Sequence, residues 1–196
     1  MSKRAQFDRE DVIIRAKNLY WAKGYHGTSM RALQDAIDMR PGSIYATFGS
    51  KDNLFILAIE RYGQESNQLL ESCLVEAPTK VDGLKSFIRK IILERRGTAP
   101  SGMCMIIKSI SELTEEDNPD LLATAKRLLN DIEKAFTVLL TSAIDDGEIS
   151  ANKDPVELAR YVQVQIIGLR TFARATEELD AVEKFIDDIF VSGPFK

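Results

Sequence analysis

The sequence has few of the residues on which catalytic and metal chemistry depend. Its 196 residues include one histidine and two cysteines, Cys73 and Cys104. Two cysteines far apart in the chain give neither a disulfide framework nor the ligand set of a zinc site. A single histidine leaves little acid–base chemistry near neutral pH, and no serine–histidine–aspartate set or phosphate-binding glycine loop is present. We therefore expect no metal, no cofactor and no enzymatic activity.

Long apolar runs and alternating patterns are also missing. No apolar run approaches the ~20 residues that a membrane-crossing helix needs. Residues 1–12 have no apolar core of the kind found in a secretory signal. We therefore expect no membrane contact and a cytoplasmic location. No segment alternates with period two for long, whereas helical periodicity recurs along most of the chain, which predicts an all-α protein of about nine helices.

Charge is divided unevenly along the chain, although the net charge is only −4. Residues 1–51 hold nine Lys/Arg and five Asp/Glu, a net +4, whereas the remainder holds 17 and 25, a net −8. A basic end on an acidic body is typical of a protein that meets phosphate with one end only. Taken alone, the split is explained equally well by chance variation in charge.

Start and stop signals divide the N-terminal quarter of the chain into short helices. Asp8 is expected to cap the first helix and Gly24 to end it. Thr28 or Ser29 is expected to cap a second helix, and Pro41 to open a very short third one. A fourth helix starts near residue 51, and breakers then separate five more, at about 82–96, 102–114, 119–145, 155–175 and 178–191.

Residues 24–55, GYHGTSMRALQDAIDMRPGSIYATFGSKDNLF, combine several of these signals. The segment resembles the N-terminal helix-turn-helix of the tetracycline-repressor (TetR) family of transcriptional regulators. That family's pattern is a Gly–aromatic pair, a Thr–Ser cap, a Gly/Ser-X-X-Tyr helix, a Phe and a Ser-Lys-Asp/Glu-X-Leu restart. The matching positions are Gly24-Tyr25, Thr28-Ser29, Gly42-Ser43-Ile44-Tyr45, Phe48 and Ser50-Lys51-Asp52-Asn53-Leu54. The resemblance covers about the first 55 residues. It implies a DNA-binding domain over 1–52 and an effector-sensing and dimerisation domain over 53–196.

Residue types around the third helix suit contact with DNA. Small residues at its start, Gly42 and Ser43, allow close approach to the DNA backbone, and Tyr45 carries a hydroxyl on a rigid ring. Lys51 lies in the first turn of a helix, where an ammonium group and backbone amides together hold a phosphate. The expected DNA-binding residues, in part implied by the resemblance, are Lys3, Arg4, Thr28, Arg40, Pro41, Gly42, Ser43, Tyr45, Thr47 and Lys51.

Each of these residues also has an ordinary structural interpretation. Tyr45 also fits an aromatic residue at the edge of a core, Lys51 a solvated helix residue, and Thr28 a helix cap. Ile44, Phe48 and Leu54 are assigned to a small core. Ala46 departs from the larger residue common in the family, which leaves the preferred DNA sequence open.

The last two long helices carry broad apolar stripes. A single chain of this size can bury one such stripe in its own core, so two stripes suggest that a partner chain covers the other. Similar proteins build a four-helix dimer interface from their last two large helices. A homodimer also lets a small helix-turn-helix read two half-sites together. The expected interface residues are Leu158, Val162, Ile166, Leu169, Phe172, Val182, Phe185 and Ile189.

A ligand cavity within the helical body is implied by the resemblance. Its candidate lining residues are apolar and aromatic for the most part: Phe87, Ile91, Met103, Cys104, Met105, Phe136, Tyr161 and Gln165. Such a lining predicts a small, largely hydrophobic effector. Cys104 near a helix N-terminus suits a reactive thiolate, as in family members that respond to electrophiles, but a free cysteine is also a common buried residue.

The sequence therefore predicts a repressor that is released from a palindromic operator by a small hydrophobic ligand or by modification of Cys104. An activator, or a regulator without a ligand, fits the same sequence. A helical adaptor that binds no DNA is the alternative from another class, and it predicts no salt-dependent affinity for DNA.

Overall fold

The computed structural model of the chain describes residues 8–94, 97–176 and 178–196. Across these residues the fold is all-helical, with nine α-helices and no strand, as expected. None of the described helices combines the length and apolar character needed to cross a membrane. The helices are α1 (Arg9–Lys23), α2 (Met30–Ile37), α3 (Pro41–Phe48), α4 (Lys51–Glu76), α5 (Lys80–Arg89), α6 (Met105–Glu112), α7 (Pro119–Asp145), α8 (Pro155–Thr176) and α9 (Leu179–Ile189), with a π-helical turn at Lys90–Glu94 and a 3-10 turn at Gly193–Phe195.

The first four helices begin where the local signals predicted. Asp8, Ser29 and Ser50 are the N-caps of α1, α2 and α4, and each side chain accepts a hydrogen bond from a backbone N–H two or three residues later at 2.9–3.1 Å. Pro41 is the first residue of α3, and Gly24 ends α1 with a φ of 79°. Of the two candidate caps of α2, Ser29 is therefore the one used.

The fifth and sixth helices differ from the prediction. The fifth begins at Lys80 rather than near residue 82, because the Thr79 hydroxyl accepts a hydrogen bond from Asp82 N and caps the helix earlier. Its α-helical part ends at Arg89 and continues as the π-helical turn. The sixth spans only Met105–Glu112, with Cys104 as its N-cap residue.

Two apolar clusters share α4. The first packs α1–α3 against the start of α4, α6 and the start of α7, and it contains the predicted core residues Ile44, Phe48 and Leu54. The second lies between the end of α4, α5, α7, α8 and α9. Because α4 contributes to both, the N-terminal helices are joined to the body by continuous packing. The proposed boundary at 52/53 falls in the first turn of this shared helix.

Candidate nucleic-acid interface and internal cavity

Helix α3 presents an open polar face above a buried apolar one. Ile44 and Phe48 point into the core, whereas Tyr45 on the same helix is 51% exposed. A Cβ atom built on Gly42 would meet nothing within 4 Å, so the protein's own packing does not require glycine there. Of the predicted contact residues on this helix, Arg40, Pro41, Gly42, Ser43 and Tyr45 are exposed, and Thr47 is half-buried beside them.

Lys51 is held at the start of α4 by the turn between α1 and α2. Its Nζ donates a hydrogen bond to the carbonyl oxygen of Tyr25 at 2.9 Å and lies 4.0 Å from the centre of the Tyr25 ring. Burial lowers the pKa of Lys51 below its ordinary value. Tyr20 donates its hydroxyl hydrogen to the Lys51 carbonyl at 3.1 Å, and Tyr25 donates its own to Asp52. These contacts with Tyr25 hold the ammonium group of Lys51 in one position. Its contact with DNA stays a prediction.

The structure changes one other predicted contact and does not describe two more. Thr28 is fully buried, and its hydroxyl donates to the Gly24 carbonyl at 2.6 Å. The expected side-chain contact to DNA is therefore wrong for this conformation, because no surface of Thr28 is accessible. Lys3 and Arg4 lie outside the described residues. The sequence prediction missed Arg9, whose exposed guanidinium lies 5.5 Å from the Phe48 ring centre and so borders α3.

An apolar cavity of about 60 Å³ lies inside the helical body, walled by α4, α5, the π-helical turn, α7, α8, the segment leading into α6 and the first turn of α6. Of the eight predicted lining residues, five line it: Phe87, Ile91, Met103, Cys104 and Phe136.

Three predicted lining residues lie elsewhere. Met105 is 1% exposed and packs in the cluster of the N-terminal helices, because it projects to the other side of α6. Tyr161 and Gln165 lie on the outer side of α8, facing α9 and the C-terminal residues. The predicted Tyr161 and Gln165 positions are wrong because helical periodicity does not say which apolar side of α8 faces inward.

A second, more polar cavity of about 340 Å³ adjoins the first, and Tyr62, Ser66, Ile91 and Arg170 line both. Arg170 is only 7% exposed. The sequence prediction missed it, although one signal was present: it is the one charged residue between positions 161 and 173, in the largely apolar middle of α8.

Arg170, Tyr62 and Cys104 form a short hydrogen-bonded chain at this junction. The Arg170 Nη1 donates to the Tyr62 hydroxyl at 3.4 Å, and that hydroxyl donates to the Cys104 Sγ at 3.5 Å. The Arg170 Nε donates to the Gly102 carbonyl at 3.3 Å. Burial raises the pKa of Tyr62 well above its ordinary value, so the hydroxyl keeps its proton.

The cavity wall is tied directly to the helix-turn-helix. Trp21, near the end of α1, donates its indole N–H to the Met103 carbonyl at 2.6 Å, and its ring packs edge-to-face on Tyr62 at 4.9 Å. Lys108 on α6 donates to the carbonyls of Trp21 and Ala22 at 2.8 and 3.1 Å. These contacts, which we call the α6–α1 link, connect residues that line the cavity to the helix that leads into α2 and α3.

The outer face of α8 and α9 forms an open groove of about 420 Å³. Phe172 and Phe185 contact each other edge-to-face across it at 5.9 Å, and Phe185 is 44% exposed. A Cβ atom on Gly168 would meet nothing within 4 Å. Residues lining this α8/α9 groove are Tyr161, Gln165, Gly168, Leu169, Phe172, Phe185, Asp188, Ile189 and Ser192.

The predicted interface set therefore needs correction. Leu158, Val162 and Val182 have no exposed surface, because they fill the core of the single chain. Ile166 lines the internal cavity. Leu169, Phe172, Phe185 and Ile189 line the groove, although Leu169 and Ile189 are themselves largely buried. An apolar stripe on a sequence does not distinguish burial within one chain from burial against a second.

Comparison with known proteins agrees with this geometry. The family model described as bacterial regulatory proteins, tetR family, matches residues 13–58. The uncharacterized HTH-type transcriptional regulator YezE of Bacillus subtilis (strain 168) is 29% identical over 189 residues, 95% of this chain and 96% of that protein. The HTH-type transcriptional repressor ComR of Escherichia coli (strain K12) is 27% identical over 177 residues, 89% and 83% of the two chains.

A solved structure shares the whole architecture. It is a cysteine mutant of the TetR family transcriptional regulator CifR, complexed with 26-bp double-strand operator DNA. It superposes with a TM-score of 0.85 at 25% identity, covering 98% of this chain and 100% of that one. Fold and surface together define a helix-turn-helix transcriptional regulator. Residues 13–58 match the TetR-family model, and the relatives that resemble the chain over most of its length are named as transcriptional regulators.

Proposed function

We propose that the protein is a homodimeric repressor that binds a palindromic operator through α3 and is released when a small molecule occupies the internal cavity. The observation that carries the proposal is the α6–α1 link, because it joins the cavity wall to the helix-turn-helix. A regulator of this kind acts where the DNA is, which places it in the cytoplasm. We assign residues 1–52 to DNA binding and 53–196 to effector sensing and dimerisation.

DNA binding is supported by the open face of α3. Tyr45 is half-exposed although it is a large aromatic, and Gly42 leaves room for a close approach of another backbone. Arg40 is exposed at the N-cap position of the same helix. In a helix-turn-helix, the second helix, which corresponds to α3 here, lies in the major groove with its N-terminal residues facing the bases. Neighbouring polar groups contact the phosphates. The CifR mutant of the same architecture was solved on operator DNA.

Dimerisation is supported by the α8/α9 groove. Its exposed aromatic ring, Phe185, and the empty space over Gly168 leave apolar surface that a second copy of α8 and α9 would cover. A two-fold pair of such faces makes a self-complementary interface. It also places two copies of α3 for two half-sites, so that operator symmetry mirrors protein symmetry.

Release follows from the size of the cavity. About 60 Å³ is smaller than the several hundred Å³ that ligand pockets usually offer. An apolar group larger than this space must therefore displace the wall that contains Met103 and Tyr62, and Trp21 contacts both. Movement of the α6–α1 link changes the spacing of the two α3 helices, and DNA must in turn weaken ligand binding by the same factor.

Modification of Cys104 is a second route to the same release. Its Sγ lines the cavity beside the Tyr62 hydroxyl, at the N-cap position of α6. A covalent adduct there would place new atoms against Tyr62 and so against Trp21. Replacement by Ser abolishes this route and leaves DNA affinity unchanged. A Cys104→Ser protein that still releases DNA on treatment with an alkylating agent would exclude it.

The test of DNA binding is the salt dependence of affinity for duplex DNA. Arg40→Ala is expected to weaken binding to all sequences and to reduce the slope of log affinity against log salt by about 1, as for one lost phosphate contact. Arg160→Ala is the matched control, because Arg160 is an exposed arginine on α8 that pairs with Glu133. Equal slopes in the two variants would remove Arg40 from the interface, and no salt-dependent binding by the unaltered protein would favour the adaptor alternative.

A further inference from the structure

Arg170 carries a buried charge whose counter-ion is missing from the described part of the chain. The residue is 7% exposed, and no carboxylate among the described residues pairs with it. Its hydrogen bonds go to two neutral groups, the Gly102 carbonyl and the Tyr62 hydroxyl. A guanidinium has five N–H donors in a planar fork, so donors remain unused. Burying a charge is costly unless an opposite charge accompanies it.

The surroundings of Arg170 are positive on one side and apolar on the other. No Asp or Glu of the described residues lines either cavity. Arg174, one turn further along α8, lines the polar cavity beside Arg170. On the other side, Leu70, Phe87 and Phe136 line the apolar cavity that Arg170 also borders. A molecule that spans the junction therefore meets a cation at one end and hydrocarbon at the other.

We propose that the effector is an amphipathic carboxylate: one carboxylate group that pairs with Arg170, on an aliphatic chain that enters the apolar cavity. This inference rests on the proposed function and narrows it, because an uncharged hydrophobic effector would leave Arg170 buried without a counter-ion. Arginine and carboxylate pair through two parallel hydrogen bonds, which fixes the orientation of the ligand.

Binding at this position acts on the α6–α1 link. Arg170 donates to the Tyr62 hydroxyl, and the Tyr62 ring packs on Trp21. A carboxylate that draws the guanidinium toward itself competes with its bonds to Tyr62 and to Gly102, the residue just before Met103. The same ligand that neutralises the charge therefore loosens the contacts that hold the end of α1.

The experiment compares acids with their uncharged amides. Isothermal titration calorimetry on the DNA-free protein at pH 7.5 uses straight-chain carboxylates from butyrate to octanoate and the amides of the same lengths. We expect at least one carboxylate to bind roughly tenfold or more tightly than its amide, as a charge-assisted hydrogen bond predicts. Arg170→Gln is expected to remove that preference, whereas the control Arg160→Gln keeps it, and thermal melting of each protein with and without ligand gives a second readout.

Each result decides the proposal. Equal binding of acid and amide to the unaltered protein, or binding of neither series, overturns it, even where Arg170→Gln fails to fold. A preference that survives in folded Arg170→Gln overturns the role of Arg170. Affinity of the same unliganded preparations for duplex DNA is measured separately: DNA binding without carboxylate preference refutes only the ligand class, whereas absence of DNA binding refutes the proposed regulator.

Discussion

Two glycines of the N-terminal helices illustrate how the same residue type serves folding at one position and an interface at another. Gly24 ends α1 with a φ of +79°, and a Cβ atom there would lie 2.5 Å from a carboxylate oxygen of Glu112. Gly42 lies in α3, and a Cβ atom there meets nothing. The fold therefore requires glycine at position 24. It does not require glycine at position 42, where the open space is available to a DNA backbone.

This contrast gives a prediction for a pair of alanine substitutions. Gly42→Ala is expected to keep or raise stability by up to about 1 kcal/mol, since alanine favours a helix, while the added methyl group lowers DNA affinity. Gly24→Ala is expected to cost roughly 1–3 kcal/mol through its left-handed backbone and the contact with Glu112. Thermal melting and DNA titration of both proteins check this. A Gly42→Ala protein with unchanged DNA affinity would place α3 away from the DNA backbone.

At the scale of the helix, α6 is the element that connects the cavity to the N-terminal helices. Lys108 donates to two of the last carbonyls of α1, which have no partner within their own helix. Glu112 accepts a hydrogen bond from the backbone N–H of Tyr25 at 2.7 Å, just beyond the same helix end. This short helix thus satisfies backbone groups on both sides of the end of α1.

Lys108→Met tests this link. Loss of the two hydrogen bonds is expected to lower the free energy of unfolding by about 1 kcal/mol and the melting temperature by about 2–4 °C. Lys134→Met is the matched control, because Lys134 is 69% exposed and its nearest carboxylate, on Asp131, lies 3.7 Å away. Equal melting temperatures for the two variants would mean that Lys108 contributes nothing to the junction.

The helices that were predicted accurately are those whose ends are set by residues close in sequence, such as caps and prolines. A cap such as Ser50 or an opening Pro41 is fixed by neighbours in sequence, so the starts of α1–α4 could be predicted. The π-helical turn after Arg89 and the short α6 have no such signal, because they depend on packing around the cavity. Arg170 and Tyr62 were missed for a related reason, since their meeting is long-range: 108 positions separate them.

At the scale of the molecule, the sequence predicted a partner but assigned much of the interface to the wrong side of the helices. The stripe through Leu158 and Val162 is apolar because it fills the single chain's own core. The face left open is marked by Phe185 and by the space over Gly168. Sequence periodicity gives the width of an apolar stripe, whereas the arrangement of α7, α8 and α9 decides which part of it remains outside.

Phe185→Glu tests the open face. A charge in an apolar interface is expected to raise the dimer dissociation constant roughly tenfold or more, with helical content unchanged. Val75→Glu is the matched control, because Val75 is 87% exposed on α4, outside the α8/α9 groove. Sedimentation velocity at a series of concentrations separates the two. A Phe185→Glu protein that dimerises like the control would place the interface elsewhere.

In the proposed function, two copies of α3 read two half-sites of one operator. Selection of bound sequences from random duplex DNA, at fixed salt near physiological and with ligand-free protein, tests it most directly. We expect a two-fold symmetric site whose half-sites lie about one helical turn apart. Recovery of no sequence above non-specific binding, from protein verified as folded and dimeric, would contradict it.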